Sequence, residues 1–137
     1  MSNENCLCMN LRSAAQSLTR TYDAALAPAG VTANQFSLMN HIRTGDAPNI
    51  QALATASGLD RSTLGRNLRV LEREGLISMA IGSDARSREI ALTPEGRRTI
   101  RRAAPLWSDV QETLSARLGN TRRAELKVLL EELTAEI

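Results

Sequence analysis

The spacing of apolar residues divides residues 49–92 into two short helices and a hairpin. Asn49 suits the N-cap of the first helix, which keeps helical apolar spacing for about two turns until Gly58 permits a tight turn. Asp60 suits the N-cap of the second helix, which the pattern extends to Gly75. Two short helices joined by a glycine-containing turn predict a helix-turn-helix.

The second helix of this motif has an apolar face and a basic face. At about 100° per residue, Leu64, Leu68 and Leu71 fall on one side. The opposite side is polar and basic and carries Ser62, Arg66, Arg69 and Arg73. Because the guanidinium fork of arginine suits both phosphate oxygens and a guanine edge, this face predicts a helix that lies in the DNA major groove. The alternative is a solvated face on which Glu72 and Glu74 pair locally with the arginines.

Strict alternation of apolar and polar residues replaces helical spacing in residues 76–81 and 88–92. The pattern predicts a hairpin whose turn spans residues 82–87. The facing apolar residues are Ile77, Met79 and Ile81 on one strand and Ile90 and Leu92 on the other. A hairpin directly after a helix-turn-helix indicates a winged helix-turn-helix with a two-stranded wing, so the predicted fold class is mainly α (α+β).

The tip of this wing carries charged residues. Arg86 or Arg88 is expected to lie along a phosphate backbone or in a minor groove. Asp84 is expected to brace Arg86 through a charge-assisted hydrogen bond and so to hold the shape of the wing. The complete set of predicted DNA-binding residues is Arg61, Ser62, Thr63, Arg66, Asn67, Arg69, Arg73, Asp84, Arg86 and Arg88.

Long helices are predicted on both sides of the lobe. The first begins near Cys6 and ends at Pro28, and Thr32 with Gln35 forms a predicted capping box for the next helix. After the wing, Thr93 caps a long helix, which Pro105 is expected to interrupt and bend. A break at residues 119–120 and a restart at residue 121 give a last amphipathic helix.

Helices this long cannot bury their apolar seams within one small subunit. Residues 1–137 are therefore predicted to form a single domain, with a DNA-binding lobe at about 32–93 and dimerisation helices at about 6–28 and 94–137. The alternative is a self-contained helical subdomain.

Charge is distributed unevenly along the chain, although the net charge is only +2. Residues 60–102 hold ten Lys/Arg against six Asp/Glu, residues 1–59 hold three of each, and residues 103–137 hold four against six. The positive charge therefore falls on the predicted DNA-binding elements.

The runs LDRSTLGRNLRVLEREGLI and SDARSREIALTPEG, with an Asp-x-Arg wing and a Leu-Thr-x-x-Gly exit, resemble the MarR family of bacterial transcription regulators. The resemblance covers nearly the whole chain. It implies a homodimer that binds a pseudo-palindromic double-stranded DNA operator. It further implies a repressor that is released by a small molecule or by oxidation.

Two cysteines near the N-terminus are candidates for a redox switch. On one helix, Cys6 and Cys8 would point about 200° apart and would not bridge each other without local unwinding. In the resemblance, Cys8 falls on the reactive cysteine of the organic-hydroperoxide-sensing branch of the family, and Tyr22 falls on one of its tyrosines. Arg12 stands where that branch has another tyrosine, and Cys6 of the partner subunit would have to resolve a sulfenic acid. Two inert packing thiols remain the alternative.

A small aromatic or amphipathic ligand is a second candidate trigger. Tyr22, Phe36, Met39 and Trp107 could line a cavity between the dimerisation helices and the lobe, or could be plain core residues. Two further alternatives are a constitutive architectural DNA-binding dimer without an effector and a protein-interaction dimer.

Enzymatic chemistry finds little support in the sequence. The single histidine, His41, is expected to be an ordinary helix residue, and neither a cofactor nor a metal site is predicted because Cys6, Cys8 and His41 form a thin ligand set for zinc. Neither a signal peptide nor a membrane span is predicted, so the protein is expected in the cytoplasm.

Overall fold

The computed structural model describes residues 3–45, 49–81 and 88–135. Its α-helices are α1 (Leu7–Leu26), α2 (Ala33–Thr44), α3 (Ile50–Ser57), α4 (Arg61–Arg73), α5 (Pro94–Leu118) and α6 (Asn120–Thr134), and its strands are β1 (Ile77–Ile81) and β2 (Arg88–Leu92). Short 3-10 helices at Asn3–Asn5 and Ala27–Ala29 flank α1. This architecture confirms the predicted mainly α fold with a winged helix-turn-helix.

Side-chain caps begin four of the helices where the sequence predicts them. Thr32 and Gln35 form a complete capping box on α2. Asn49 accepts a hydrogen bond from the backbone of Ala52 at 2.8 Å, and Thr93 caps α5 by accepting one from the backbone of Gly96 at 3.0 Å. Asp60 caps α4 in the same way, so each of these helix starts is specified by residues within one turn of it.

The hairpin has the register that the alternation predicts. Ile77 pairs with Leu92 and Met79 with Ile90 in an antiparallel arrangement. Ile77 and Leu92 are buried and Met79 and Ile90 are half-buried, whereas the residues that alternate with them are exposed. One face of the wing therefore belongs to the core, and this fixes the orientation of the hairpin against the helices.

The helices and strands of the lobe pack around a leucine-rich core. Its fully buried large side chains are Leu26, Met39, Leu53, Leu64, Leu68, Leu71 and Ile77. Helix α1 contributes to this core only at its C-terminal end, where Asp23 also accepts a hydrogen bond from the backbone N–H of Ala33 at 2.7 Å. The N-terminal helix is thereby attached to the start of α2.

The helices at the other end of the molecule keep much of their apolar surface in solvent. Helix α6 has no buried residue, and Leu129 is 59% exposed. On α1, Leu7 is 62% exposed. These two helices, with the C-terminal half of α5, form what we call the helical base.

Two details differ from the predictions. Pro105 does not interrupt α5, which continues from Pro94 to Leu118, because a proline removes a single hydrogen bond while the surrounding turns keep theirs. Cys6 lies outside α1 as its N-cap residue in an extended conformation, with φ −80° and ψ 112°. The 200° separation expected for two cysteines on one helix therefore does not apply.

Candidate nucleic-acid interface

Asp60 organises the first turn of α4. Its carboxylate accepts hydrogen bonds from the backbone N–H of Thr63 at 2.8 Å, from the Thr63 hydroxyl at 3.1 Å and from the Ser62 hydroxyl at 3.3 Å. The hydrogen bond from the Thr63 backbone is the largest cause that lowers the pKa of Asp60 below its ordinary value. Arg66 then donates to the Thr63 hydroxyl oxygen at 3.3 Å. The start of the helix is thus a connected polar network rather than a set of independent side chains.

The outer face of α4 is basic and open to solvent, as the spacing predicts. Its exposed arginines are Arg61, Arg66, Arg69 and Arg73, Ser62 is exposed as well, and Thr63 and Asn67 are half-buried. Arg66, Arg69 and Arg73 border a shallow groove together with Val70 and Glu72. Across the described ranges, ion pairs within 4.0 Å join Glu95 to Arg98 and to Arg102, and none joins Glu72 or Glu74 to an arginine of α4. Glu72 and Glu74 therefore do not neutralise the arginines of α4 through local ion pairs.

The wing is described only at its base. Arg88 begins β2 and pairs with Ile81 at the end of β1. Asp84 and Arg86 lie outside the described residues, so their predicted roles stay predictions. The base of the wing is anchored by Leu76 and Ile77, which are both buried.

The cysteines and Tyr22 occupy different environments. Cys6 is half-buried, and Cys8 is exposed on the first turn of α1. The hydroxyl of Tyr22 donates to Oε1 of Gln111 on α5 at 2.5 Å. Partial burial raises the pKa of Tyr22, and the positive charge of Arg123 on α6 opposes this shift. Tyr22 therefore links α1 to α5 through a hydrogen bond, and the positive charge of Arg123 on α6 acts on its hydroxyl.

A pocket of about 710 Å³ lies where α1, α2 and α5 meet. Phe36 and Trp107 pack with their ring centroids 6.3 Å apart and form part of its wall. The described residues that line it are Tyr22, Ala33, Asn34, Phe36, Ser37, Asn40, Arg43, Ile100, Arg101, Ala104, Trp107 and Ser108. These include two arginines and no acidic residue, so the pocket has a positive rim.

The structure brings three of the four predicted pocket residues together and excludes the fourth. Met39 is completely buried in the leucine core and does not line this pocket, which agrees with the alternative of a plain core residue. The physical reason is helical phase: Phe36, Asn40 and Arg43 share one face of α2, and Met39 is turned toward the core. Sequence reasoning missed Arg43, although its position seven residues after Phe36 already places it on that face.

Gln111 and Arg101 were also missed. Gln111 is four residues after Trp107 and thus on the same side of α5, but nothing in the sequence links it to Tyr22. His41 lies on α2, half-buried. Within residues 3–45, 49–81 and 88–135, no group of three or more His, Cys, Asp or Glu side chains is placed to hold a metal ion. In the same ranges, no helix combines the length and hydropathy needed to cross a membrane.

A basic helix backed by leucines, held by a shorter helix and followed by a two-stranded wing, defines a winged helix-turn-helix DNA-binding protein. The MarR family model matches residues 31–87. The transcriptional regulator MosR of M. tuberculosis, solved in complex with DNA, is 37% identical, with 96% of each chain covered and a TM-score of 0.85. The chain belongs to the MarR family, and it is a DNA-binding transcription regulator rather than an enzyme.

Two structures of the transcriptional repressor CouR are also similar, each at 27% identity. The complex with a 23-mer DNA duplex covers 97% of each chain with a TM-score of 0.85. The complex with p-coumaroyl-CoA covers 100% of this chain and 98% of that one with a TM-score of 0.87. Comparison with the curated proteins gives no match.

Proposed function

We propose that the protein is a homodimeric repressor that binds a pseudo-palindromic operator through two copies of α4 and is released by an effector. The observation that carries this proposal is the pairing of a basic, open α4 face with a helical base whose leucines remain in solvent. A second copy that covers the base would place the two α4 helices about one helical turn of DNA, roughly 34 Å, apart. The lobe at about 32–93 would grip DNA, and residues 6–28 and 94–137 would form the dimer.

The helical base favours a second copy of the same chain as its partner. The large apolar residues that it exposes are Leu7, Met9, Leu11, Leu18, Trp107, Leu126, Val128, Leu129, Leu130 and Leu133. A large exposed apolar surface is rare on a monomer and is typical of permanent interfaces. Because the same residues are present on every copy, a two-fold axis lets each copy cover the other.

Within the lobe, the geometry supports a division of roles. Ser62, Thr63 and Arg66 lie on the first turns of α4, where a recognition helix reaches base edges. Arg69 and Arg73 lie farther along the same face and suit phosphate contacts. The hydroxyl hydrogen of Thr63 already goes to Asp60, so Arg66 and Asn67 are the stronger candidates for reading bases. On the wing, Arg86 or Arg88 would contact the backbone.

Oxidation of Cys8 is one way to release the operator. A Cys8 thiolate attacks the terminal oxygen of an organic hydroperoxide, and the O–O bond breaks as sulfur gives up two electrons. Cys8 becomes a sulfenic acid, and the departing alkoxide takes a proton from water to leave as an alcohol. Attack by the thiol of Cys6 of the partner subunit then forms the S–S bond between the two chains and releases water. Two observations support this route: Cys8 is exposed, and Cys6 is not constrained by helical backbone geometry. The 37% identity to a regulator that binds DNA through the same fold supports operator binding, not the trigger.

A ligand in the pocket is the second candidate trigger, and a specific observation favours it. The pocket has an apolar wall of Phe36 and Trp107 and a rim that includes Arg43 and Arg101. An anionic molecule with an aromatic or otherwise apolar body would match both features. CouR, similar along its whole length, was solved with p-coumaroyl-CoA.

Selection from random DNA duplexes of about 30 base pairs, three helical turns, tests operator binding directly. The expected result is an inverted repeat whose half-sites are one turn apart. Operator affinity is then measured before and after an organic hydroperoxide in the wild type and in Cys6→Ser and Cys8→Ser variants. Loss of the response in Cys8→Ser alone assigns the sensor, and loss in both variants assigns a bridge.

A wild type that is insensitive to peroxide removes the redox route and leaves either a ligand in the pocket or no effector at all. A constitutive architectural DNA binder is the remaining alternative, and it predicts affinity that neither oxidant nor any anionic ligand alters. Because the proposed target is chromosomal DNA, we place the protein in the cytoplasm.

A further inference from the structure

The recognition helix α4 ends in a compact set of backbone hydrogen bonds. The N–H of Leu76 donates to the carbonyl of Leu71 at 3.0 Å, and the N–H of Gly75 donates to the carbonyl of Glu72 at 3.0 Å. Gly75 has φ 77°, the left-handed conformation that this C-terminal motif requires. Leu71 and Leu76 are both buried. The segment that leaves α4 therefore starts in a fixed direction.

Thr93 then ties that segment to the start of α5. Its hydroxyl donates to the carbonyl of Gly75 at 2.6 Å, and its backbone N–H donates to the carbonyl of Leu76 at 3.1 Å. The same hydroxyl oxygen accepts from the backbone N–H of Gly96 at 3.0 Å. One side chain thus caps α5 and holds the exit of α4 at the same time.

Gly96 allows the two segments to come this close. A Cβ at this position would lie 2.1 Å from the carbonyl oxygen of Leu76, which real Cβ atoms do not approach. Gly96 has no left-handed backbone, so close approach rather than backbone freedom is what requires glycine here. Since the clashing atom belongs to the backbone, no side-chain rotation could relieve the contact. Gly75, Leu76, Thr93 and Gly96 together form what we call the α4–α5 joint.

We infer that the α4–α5 joint sets which operator spacing the protein accepts, with Thr93 and Gly96 as positioning residues that touch no DNA. The inference rests on the proposed homodimer, in which α4 belongs to the lobe and α5 runs from the α4–α5 joint into the helical base. A stiff joint makes the orientation of each recognition helix a property of the base, so two helices in one dimer fit one half-site separation. A loose joint lets each helix adjust, and the protein then binds several spacings with less discrimination.

Thr93→Val tests this inference, because valine keeps the shape of threonine but removes both hydroxyl hydrogen bonds. Thr93→Ser keeps the hydroxyl and is the rescue variant. Thr32→Val is the matched control: Thr32 also caps a helix through its hydroxyl, but it holds only α2. Thr93→Val and Thr32→Val each lose one helix cap, so a general loss of stability affects both.

The first readout is the distribution of distances between α4 and the far part of α5 within one chain. Spin labels are attached at Glu72→Cys and Glu112→Cys in a Cys6→Ser/Cys8→Ser background, and labelled chains are diluted with unlabelled ones so that only intrachain pairs contribute. We expect the distribution to be at least about twofold wider in Thr93→Val and unchanged in Thr93→Ser and Thr32→Val. Gly96→Ala is expected to shift its mean, because the first turn of α5 must move away from Leu76. Equal widths of the distance distribution in Thr93→Val and Thr32→Val would contradict the inference that Thr93 makes the α4–α5 joint stiff.

The second readout is the ratio of affinities for the selected operator and for the same operator with one base pair inserted between half-sites. This ratio is expected to fall at least about threefold in Thr93→Val and to stay constant in Thr32→Val, while affinity for unrelated DNA is unchanged in both. A wider distance distribution with an unchanged ratio would contradict the role in spacing. Absence of any selected operator would instead contradict the proposed function, and the intrachain distances would still decide whether the joint is stiff.

Discussion

The lobe formed by α2 to β2 and the helical base differ in the burial of their leucines. In the lobe, Leu53, Leu64 and Leu71 are completely buried within one chain. In the base, α6 buries none of its residues, and its Leu129 and Leu133 are 59% and 44% exposed. The lobe therefore buries its large apolar side chains within one chain, whereas the base leaves many of its own in solvent, where a second copy could cover them.

The charges of the two regions differ as well. Residues 60–102 hold an excess of basic residues, and residues 103–137 hold an excess of acidic ones. Because DNA repels an acidic surface, this asymmetry supports the proposal that the lobe rather than the C-terminal helices faces the nucleic acid. The charge of the lobe thus suits DNA as its partner, and the charge of the C-terminal helices does not.

The largest expected effect comes from a charge placed in the base. Leu129→Glu should abolish the dimer, because a carboxylate would be buried at the interface, and operator affinity should fall by about 10²- to 10⁴-fold as the two lobes lose their linkage. Sedimentation should give one species at the chain mass of 14.9 kDa with an unchanged helical spectrum. Glu132→Gln on the same helix is the control. A Leu129→Glu protein that still sediments at twice the chain mass would show that α6 is not the interface.

A cavity in the lobe should give the next largest effect. Leu68→Ala removes a side chain that is 1% exposed and should lower the free energy of unfolding by about 2–5 kcal/mol. Leu129→Ala removes a leucine from the base, where only association buries it. In urea unfolding at chain concentrations low enough to dissociate the dimer, Leu68→Ala should keep its full deficit and Leu129→Ala should match the wild type. Equal deficits would mean that α6 packs within its own chain.

Single arginines of α4 should show smaller and distinguishable effects. Arg66→Ala should cost about 1–3 kcal/mol on the selected operator and little on unrelated DNA, because the lost contacts are to bases. Arg69→Ala should weaken both alike and lower the salt dependence by about one unit of slope, because the lost contact is to a phosphate. Affinities measured between 50 and 200 mM salt, roughly the range where counterion release is resolved, separate the two cases. Arg117→Ala in the base is the control and should leave the affinity for DNA unchanged. A loss of DNA affinity in Arg117→Ala equal to that in Arg69→Ala would show that the lobe and the base do not differ in their contact with DNA.

The smallest expected effect is a pH dependence of the lobe. The pKa of Asp60 is lowered from its ordinary value of 3.8, chiefly by the hydrogen bond from the Thr63 backbone. Its stabilising contribution is therefore fully present above pH 3.8 and is lost as the pH falls through the lowered value. Asp60→Asn keeps a cap but cannot titrate. The difference in unfolding free energy between this variant and the wild type should therefore be constant above pH 3.8 and should change as the pH falls below that value. A difference that is constant with pH would show that Asp60 does not stabilise α4 through its charge.

Residues that act on their near neighbours could be predicted from the sequence. The caps at Thr32, Asn49, Asp60 and Thr93 each bind a backbone N–H three residues on, so the sequence alone contains both partners. The buried face of α4 and the pairing of Ile77 with Leu92 follow in the same way from the periods of helix and strand. The resemblance to the MarR family rested on the sequence of the recognition helix and of the wing, with its Asp-x-Arg and Leu-Thr-x-x-Gly patterns, and the comparisons confirmed it.

Contacts between distant segments were decided only by the tertiary structure. Tyr22 and Gln111 are 89 residues apart and meet because of the way α1 crosses α5. The pocket rim, with Arg43 on one helix and Arg101 on another, and the approach of Gly96 to Leu76 depend on the same packing. Periodicity gives the phase of a residue on its own helix but not the neighbour that this helix meets, because crossing angles and distances are set by the whole core. The sequence thus determined which faces are apolar, capped or basic, and the fold determined which of them touch.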